Sequence, residues 1–290
     1  MKNLFLALAL LVLTSFAFAQ KPAHPEMLVS TDWLSTHLKD PNLVILQFAK
    51  DDADFNAGHI PGSRRVPADS LFIKKGNVES ELPPVADLVK LFEELGVSND
   101  SRIVIYTTDW PPMAPRIYFT LDYLGIAARA SLLEGGLDKW KSEKRPLSTD
   151  NPKPKPGKIT PHPRPELVAT LDEVKAASAN SAGPTIVDSR PARRYTAGHI
   201  PGAVHVYWQD VVTADDKNLL VDPAAIQKAY SSAGATPGKK LITYCEIGWQ
   251  ASHDYFTAKY LGYDVKMYDG SFNEWNDVAH QPVVKGDKPR

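Results

Sequence analysis

The chain has a single cysteine, Cys245, which follows a predicted buried strand over residues 240–244. A helix is predicted to begin at about Ala251, so the cysteine opens a short turn between a strand and a helix. Gly248 allows this turn to point successive backbone N–H groups at the sulfur, and the positive end of the helix adds to their field. Such a site favours a thiolate and also holds an anionic persulfide. The other residues of this cysteine turn are expected to contact the substrate; they are Glu246, Ile247, Gly248, Trp249 and Gln250.

Charged side chains follow a second predicted strand, over residues 185–188, which ends in Asp188. Arg190 and Arg194 come soon after it. Ligands of parallel α/β sheets lie beyond the carboxyl ends of the strands, so we expect this segment beside the cysteine turn. An aspartate and an arginine there orient the turn and bind an anionic donor, because guanidinium suits oxyanions. A surface ion pair is the alternative for any single arginine.

Residues 1–19 predict a secretory signal peptide. One lysine is followed by an apolar run over residues 4–13 and by Ala17-Phe18-Ala19, which is a small-residue cleavage signal. The run is too short to span a bilayer, and an uncleaved anchoring helix is the alternative. We therefore expect cleavage near Gln20, export to a periplasm, and no stable membrane insertion after cleavage.

The two halves of the chain repeat one another. The hexapeptide A-G-H-I-P-G occurs at residues 57–62 and 197–202, Y-L-G at 123–125 and 260–262, and E-G-G-L-D-K-W of 134–140 returns as D-G-S-F-N-E-W at 269–275. The histidines of the first repeat, His59 and His199, occur in both copies, which indicates a structural turn. Three repeated motifs in the same order indicate an internal duplication.

The predicted fold is α/β, with two similar domains that each contain a mainly parallel sheet with helices on both faces. The 290 residues suit two domains, which we place at 24–145 and 166–285. The proline-rich stretch 146–165 between them predicts an extended linker. With 33 basic and 34 acidic residues, net charge favours neither nucleic acid nor an anionic membrane as a partner.

These motifs together resemble the tandem-domain rhodaneses, the thiosulfate and 3-mercaptopyruvate sulfurtransferases. The resemblance is carried by D-S-R-x-x-x-R-Y at residues 188–195, G-H-I-P-G-A at 198–203 and the turn opened by Cys245. It implies two rhodanese-like α/β domains, the first inactive and the second catalytic. It also implies that a Cys245 persulfide carries sulfane sulfur from a small donor to a thiophilic acceptor, cyanide or a thiol. In this family pattern Arg194 binds the donor and Asp188 lies near the active turn.

The turn differs from both subclasses of the family. Thiosulfate-type enzymes carry basic residues after the cysteine and mercaptopyruvate-type enzymes a Gly-Ser pair, whereas this chain has Glu246 and Ile247. A carboxylate at that position is expected to raise the pKa of the thiol and to repel thiosulfate. The sequence therefore does not decide between thiosulfate and 3-mercaptopyruvate as the donor. The first domain has Thr107 and Thr108 where a cysteine would stand, so it has no nucleophile, and Trp110 is expected to line the cleft.

Other functions fit the residues less well. A cysteine phosphatase requires an arginine six residues after the cysteine, where this chain has Ala251. A structural, unreactive Cys245 is a second alternative. A third is a persulfide carrier or binding module that docks on a sulfur-accepting protein through Ile247 and Trp249. The dispersed histidines and the lack of a glycine-rich phosphate loop predict neither a metal site nor a cofactor.

Overall fold

The computed structural model describes residues 21–108, 110–151 and 153–290. The predicted signal peptide lies outside these ranges. Among the residues described, no helix is both long enough and apolar enough to cross a membrane. Each half of the chain forms an α/β domain with its own parallel sheet, which confirms the predicted fold class.

The first domain contains a five-stranded parallel sheet and a separate antiparallel hairpin. Its sheet strands are β1 (Leu28–Val29), β2 (Leu43–Phe48), β3 (Ser63–Val66), β6 (Arg102–Thr107) and β7 (Ala130–Leu133), in the spatial order β1-β7-β6-β2-β3. The hairpin consists of β4 (Ile73–Lys75) and β5 (Val78–Glu81). The helices are α1 (Thr31–His37), α2 (Asp52–Asn56), α3 (Val85–Glu94), α4 (Met113–Tyr123) and α5 (Gly136–Ser142).

The second domain contains a four-stranded parallel sheet. Its strands are β8 (Thr185–Asp188), β9 (Val204–His205), β10 (Leu241–Tyr244) and β11 (Val265–Met267), in the spatial order β11-β10-β8-β9. Its helices are α6 (Leu171–Ala179), α7 (Ala192–Ala197), α8 (Pro223–Ser232), α9 (Trp249–Tyr260) and a π-helical segment, Asn273–Val278. The strands and helices predicted around the cysteine turn therefore form, with ends shifted by one or two residues.

Both faces of each sheet are buried, because successive side chains of a strand point to opposite faces. In β2, Leu46 belongs to the core cluster that contains α3 and α4 residues, whereas Ile45 belongs to the cluster beneath α1 and α5. In β8, Ile186 and Val187 divide in the same way between two clusters. This explains why the strands appear in the sequence as continuous apolar runs.

The repeated motifs form the same contacts in both domains. The Nδ1 atoms of His59 and His199 lie 3.0 and 2.9 Å from the carbonyl oxygens four residues earlier, and each ring stacks on an aromatic ring. Trp140 and Trp275 each donate an indole N–H to a proline carbonyl at 2.8 Å. The duplication is therefore structural, and the structural interpretation of the two histidines is confirmed.

The two domains pack through equivalent helices, α4 and α9. Tyr118 meets Phe256 and Phe119 meets Tyr255, with ring centroids 5.0 and 4.9 Å apart. One core cluster runs through this interface into both sheets. The interface is therefore built like a domain interior, and it gives the cysteine turn at the start of α9 a fixed position against the first domain.

The proline-rich stretch lies along the first domain. Ser148 forms an antiparallel bridge with His59, and the Gly157 N–H donates to the Glu93 carbonyl at 2.7 Å. Farther on, the Arg164 N–H donates to the Tyr123 carbonyl, also at 2.7 Å. The stretch is extended but tied down by backbone hydrogen bonds. The domain limits at 24–145, 146–165 and 166–285 stay predictions.

Candidate active site

The cysteine turn wraps around the sulfur of Cys245. The residue is 1% exposed, and four backbone N–H groups of the turn and of the first turn of α9 form hydrogen bonds to the sulfur. They belong to Ile247, Gly248, Gln250 and Ala251. The predicted anion cradle, a ring of backbone donors at a helix N-terminus, is therefore present.

Burial and this cradle change the pKa of the Cys245 thiol in opposite directions. Burial removes water from the sulfur and raises the pKa, whereas the four N–H groups lower it. Burial is the larger effect, so the pKa of Cys245 is raised above its usual value. The prediction of a favoured thiolate is therefore wrong for the free cysteine, because the sequence shows the turn but not how completely it is buried.

Gly248 is required at its position for two reasons. Its φ of +86° lies in the left-handed region, where a side chain is strained. A Cβ atom there would also lie 2.5 Å from Oδ1 and 2.7 Å from the carbonyl oxygen of Asp269. Only glycine allows the turn to approach this segment so closely.

The segment that follows β11, residues 271–273, forms hydrogen bonds with the backbone of the cysteine turn. The Cys245 N–H donates to Ser271 Oγ at 3.1 Å, and the carbonyl of Cys245 accepts from the Phe272 N–H at 3.0 Å. The Glu246 carbonyl accepts from the Asn273 N–H at 2.9 Å. This segment is the second copy of the repeated glycine-tryptophan motif, so the motif has a positioning role at the site.

Asp188, Arg190 and Glu246 form one charged group beside the turn. Arg190 Nη2 lies 2.7 Å from Asp188 Oδ2, and its Nη1 lies 3.3 Å from Glu246 Oε2. Arg190 and Asp188 are buried, whereas the side chain of Glu246 is 42% exposed. Burial lowers the pKa of Arg190, but its contacts with Asp188 outweigh this and raise it. Tyr244 also donates its hydroxyl to Asp188, so two elements orient this pair.

Arg194 is not part of this charged group. Its side chain lies on the exposed side of the short helix α7 and, within the described part of the chain, makes no hydrogen bond or ion pair. The structure thus brings Asp188, Arg190 and Glu246 together and leaves Arg194 at the surface. Its role in donor binding stays a prediction.

The hairpin of the first domain covers the turn, which the residue pattern did not predict. Trp249 donates its indole N–H to Ser80 Oγ at 3.1 Å. On the next residue, Glu81, burial and the carboxylates of Asp269 and Glu274 raise the pKa of the side chain to about 7. Nothing in the composition of the hairpin signals this contact, because its partner residues lie far away in the sequence.

A buried ion pair joins the domains directly beneath Gly248. Arg116 of α4 holds Asp269 at 2.5 Å, and both side chains are essentially unexposed. The same guanidinium donates to the Leu71 carbonyl at 3.2 Å. An arginine in the mainly apolar helix α4, which also contains Asp122, was the available signal, and it identifies neither the partner nor the site.

An apolar cavity of about 330 Å³ opens beside the turn. Trp110 and Trp249 meet edge to face in its wall, with ring centroids 5.0 Å apart, so Trp110 lies against the cysteine turn. That this cavity is the cleft of the reaction stays a prediction. The complete lining consists of Phe48, Lys50, Ala68, Phe72, Trp110, Met113 and Trp249. All but the last belong to the first domain.

Comparison with known proteins agrees with this geometry. The protein-family model for the rhodanese-like domain matches residues 30–143 and 170–278 of this chain. The sulfur carrier protein TtuD of Thermus thermophilus is 32% identical over 287 residues, which cover 92% of this chain and 99% of that protein. A putative thiosulfate sulfurtransferase of Mycolicibacterium smegmatis is 29% identical over 283 residues, with coverage of 91% and 99%.

Among solved structures, SseA from Escherichia coli, described with the fold and mechanism of 3-mercaptopyruvate sulfotransferases, superposes with a TM-score of 0.77. It is 27% identical in sequence, and the match covers 85% of this chain and 98% of that one. The two family matches correspond to the two structural domains. The chain therefore belongs to the rhodanese family of sulfurtransferases and carries two rhodanese-like domains.

Proposed function

We propose that this protein transfers sulfane sulfur through a persulfide on Cys245, from thiosulfate or 3-mercaptopyruvate to a thiophilic acceptor. The observation that carries the proposal is the convergence of four backbone N–H groups on the only cysteine of the chain. Such donors stabilise negative charge on sulfur at the moment it develops. They serve the attacking thiolate and then the outer sulfur of the persulfide.

In the loading step, Cys245 loses its proton and attacks the sulfane sulfur of the donor. With thiosulfate the S–S bond breaks and sulfite leaves with the electron pair. With 3-mercaptopyruvate the C–S bond breaks and its electron pair leaves with the carbon as the enolate of pyruvate, which takes up a proton to give pyruvate. In the second step an acceptor takes the outer sulfur, and the electron pair of the S–S bond returns to Cys245. Burial of the sulfur keeps water away from the persulfide between the two steps.

The charged group beside the turn favours a donor other than thiosulfate. Arg190 contacts two carboxylates, those of Asp188 and Glu246, so its charge is more than neutralised locally. A dianion approaching the turn therefore meets Glu246, which is partly exposed, rather than a free guanidinium. Thiosulfate is accordingly a slow donor in this proposal.

Steady-state kinetics test the proposed turnover. We expect parallel double-reciprocal plots for donor and cyanide, as a covalent sulfur intermediate requires, and loss of turnover in Cys245→Ser. Turnover in Cys245→Ser comparable to that of the unmodified protein would reject the mechanism.

The second candidate is a persulfide carrier that serves a partner protein. The relative named a sulfur carrier protein, 32% identical to this chain, favours it. A carrier accepts one sulfur from a partner and shows little multiple turnover with small molecules. Turnover numbers well above one with a small donor and cyanide would decide against the carrier.

Export is a separate part of the proposal. The signal-peptide pattern of residues 1–19 supports it. Expression of the full chain in a bacterial host, followed by N-terminal sequencing of the periplasmic fraction, tests it. We expect a mature chain that begins at or next to Gln20, and a full-length chain confined to the cytoplasm would argue against export.

A further inference from the structure

We infer that a second cavity, at the end of the domain interface away from the cysteine turn, binds a free amino acid with a short apolar side chain. The cavity lies at the C-terminal ends of α4 and α9, whereas the cysteine turn lies at the N-terminal end of α9. Its volume of about 330 Å³ falls at the lower end of the range for small-molecule sites, roughly 300–1,000 Å³. The inference does not depend on the proposed sulfur transfer.

One buried carboxylate brings two cations together in this cavity. The side chain of Asp122 is 6% exposed, and its Oδ1 accepts from Arg164 Nη1 at 2.8 Å. Its Oδ2 accepts from Lys259 and, at 2.7 Å, from the Tyr255 hydroxyl. The two cations therefore lie on the two oxygens of one carboxylate, which places them close enough together to share a second small anion.

Both cations keep donors that the protein does not use. Arg164 Nε donates to Glu166 at 3.1 Å, but Arg164 Nη2 makes no hydrogen bond within the described part of the chain. The ammonium of Lys259 has no hydrogen-bond partner there other than Asp122. A carboxylate is the small anion that suits such a pair of donors.

The hydroxyl of Tyr118 is a third unused donor. Tyr118 is 3% exposed, and its ring meets Phe256 edge to face, with centroids 5.0 Å apart. Its hydroxyl forms no hydrogen bond among the residues that the structure describes, although Tyr118 lines the cavity. Burial, with the carboxylates of Asp122 and Glu26, raises the pKa of Tyr118, so the hydroxyl keeps its proton and donates. Buried hydroxyls are normally paired, and a bound carboxylate pairs this one.

Glu26 offers a partner for a positive group of the same ligand. Its side chain is 59% exposed, and its Oε1 lies 3.2 Å from His24 Nδ1. Within the described ranges its Oε2 makes no hydrogen bond. Because Glu26 acts on the pKa of Tyr118, the two side chains face the same space. Glu26 repels a plain carboxylate but attracts a ligand that also has an ammonium group.

The rest of the wall is small and apolar. It includes Met27, Ala127 and Ala130, which are all buried. The cavity thus combines donors for a carboxylate, an acceptor for an ammonium and a wall for a short apolar side chain. These are the three parts of an amino acid. Because the lining comes from the first domain and from Lys259 of the second, a bound ligand stabilises the domain interface.

The experiment compares L-valine with two analogues that each lack one charged group. Isovalerate has no ammonium, and isobutylamine has no carboxylate. Binding to the purified protein is measured by isothermal titration calorimetry and by the change in Tm. We expect L-valine to raise Tm and to bind about tenfold more tightly than either analogue. Equal affinities for the three compounds, or no binding of L-valine at about 50 mM, would overturn the inference.

Two variants test whether binding occurs in this cavity. Tyr118→Phe removes only the hydroxyl and keeps the ring against Phe256, and we expect its affinity for L-valine to fall about fivefold to tenfold. Tyr123→Phe, at a tyrosine of α4 outside the lining, is the matched control and should bind L-valine as the unmodified protein does. Glu26→Gln should weaken L-valine but not isovalerate. An unchanged affinity for L-valine in both Tyr118→Phe and Glu26→Gln would place binding elsewhere and refute the assignment.

Discussion

Replacing Gly248 with alanine adds one methyl group where the sulfur cradle meets the domain interface. At this position φ is +86°, and the new Cβ would lie 2.5 Å from Asp269 Oδ1 and 2.7 Å from the Asp269 carbonyl oxygen. The carboxylate is held by Arg116, and the carbonyl belongs to the backbone, so neither atom can move away freely. The turn itself must move instead.

The expected loss of unfolding free energy has two parts, and a control variant separates them. A non-glycine residue in the left-handed region costs about 1–2 kcal/mol. Forcing a methyl group into a packed contact adds about 1–3 kcal/mol, so Gly248→Ala is expected to lose about 2–5 kcal/mol of unfolding free energy. Gly238 has nearly the same φ, +85°, but nothing lies within 4 Å of its added Cβ. Gly238→Ala should therefore lose about 1–2 kcal/mol only.

The same substitution should affect catalysis. Moving the turn withdraws at least one N–H donor from Cys245, and loss of one such donor reduces kcat by about 10²–10³-fold in comparable sites. Urea unfolding measures the stability of both alanine variants, and the rate of persulfide formation with 3-mercaptopyruvate measures the reaction. The reasoning is refuted if Gly248→Ala and Gly238→Ala are equally stable and form the persulfide at equal rates.

Three further predictions concern charges near the turn. Because the pKa of Glu81 is raised to about 7 from 4.5, its contribution to stability is present below pH 4.5 and lost as the pH rises through 7. Glu81→Gln should therefore gain about 1–2 kcal/mol over the unmodified protein at pH 8 and nothing at pH 4, as urea unfolding at the two pH values will show. Arg116→Met leaves the Asp269 carboxylate buried without its partner and should lower the free energy of unfolding by about 3–5 kcal/mol. The double variant Arg116→Met/Asp269→Asn should recover more than half of that loss. If the losses of the two single variants simply add in the double variant, this prediction is wrong. Glu246→Arg removes a carboxylate from Arg190 and adds a cation, so kcat/KM for thiosulfate should rise about tenfold. An unchanged or lower kcat/KM would show that Glu246 does not limit the reaction with thiosulfate.

The sequence predicted the cysteine turn because everything that defines it is local. An apolar strand, a glycine inside a short turn and a helical stretch follow one another within twenty residues, and each has a direct conformational preference. The repeated motifs were equally informative, since His59 and His199, like Trp140 and Trp275, make matching contacts in both domains.

The contacts that complete the site depend on how the domains pack. The Arg116–Asp269 pair joins residues 153 positions apart, and Trp249 meets Ser80 across 169 positions. The raised pKa of Cys245 also depends on the folded structure, because it comes from burial of the sulfur. Neither residue spacing nor composition contains this information.

The arginines after β8 show a subtler limit. Arg190 and Arg194 are close in the sequence, and both follow the strand end. Arg190 turns back and is buried against Asp188, while Arg194 falls on the outer side of α7. The helix boundary decides which arginine reaches the site, and element boundaries are the least certain part of a prediction from sequence.

The most direct test of sulfur transfer is the intact mass of the mature protein. It is measured after brief incubation with 3-mercaptopyruvate or, separately, thiosulfate, and again after addition of cyanide. The proposed mechanism predicts a gain of one sulfur mass that cyanide removes and that Cys245→Ser abolishes, with 3-mercaptopyruvate loading faster than thiosulfate. A cysteine that gains no sulfur from either donor and also resists alkylation would contradict the mechanism and make Cys245 a structural residue.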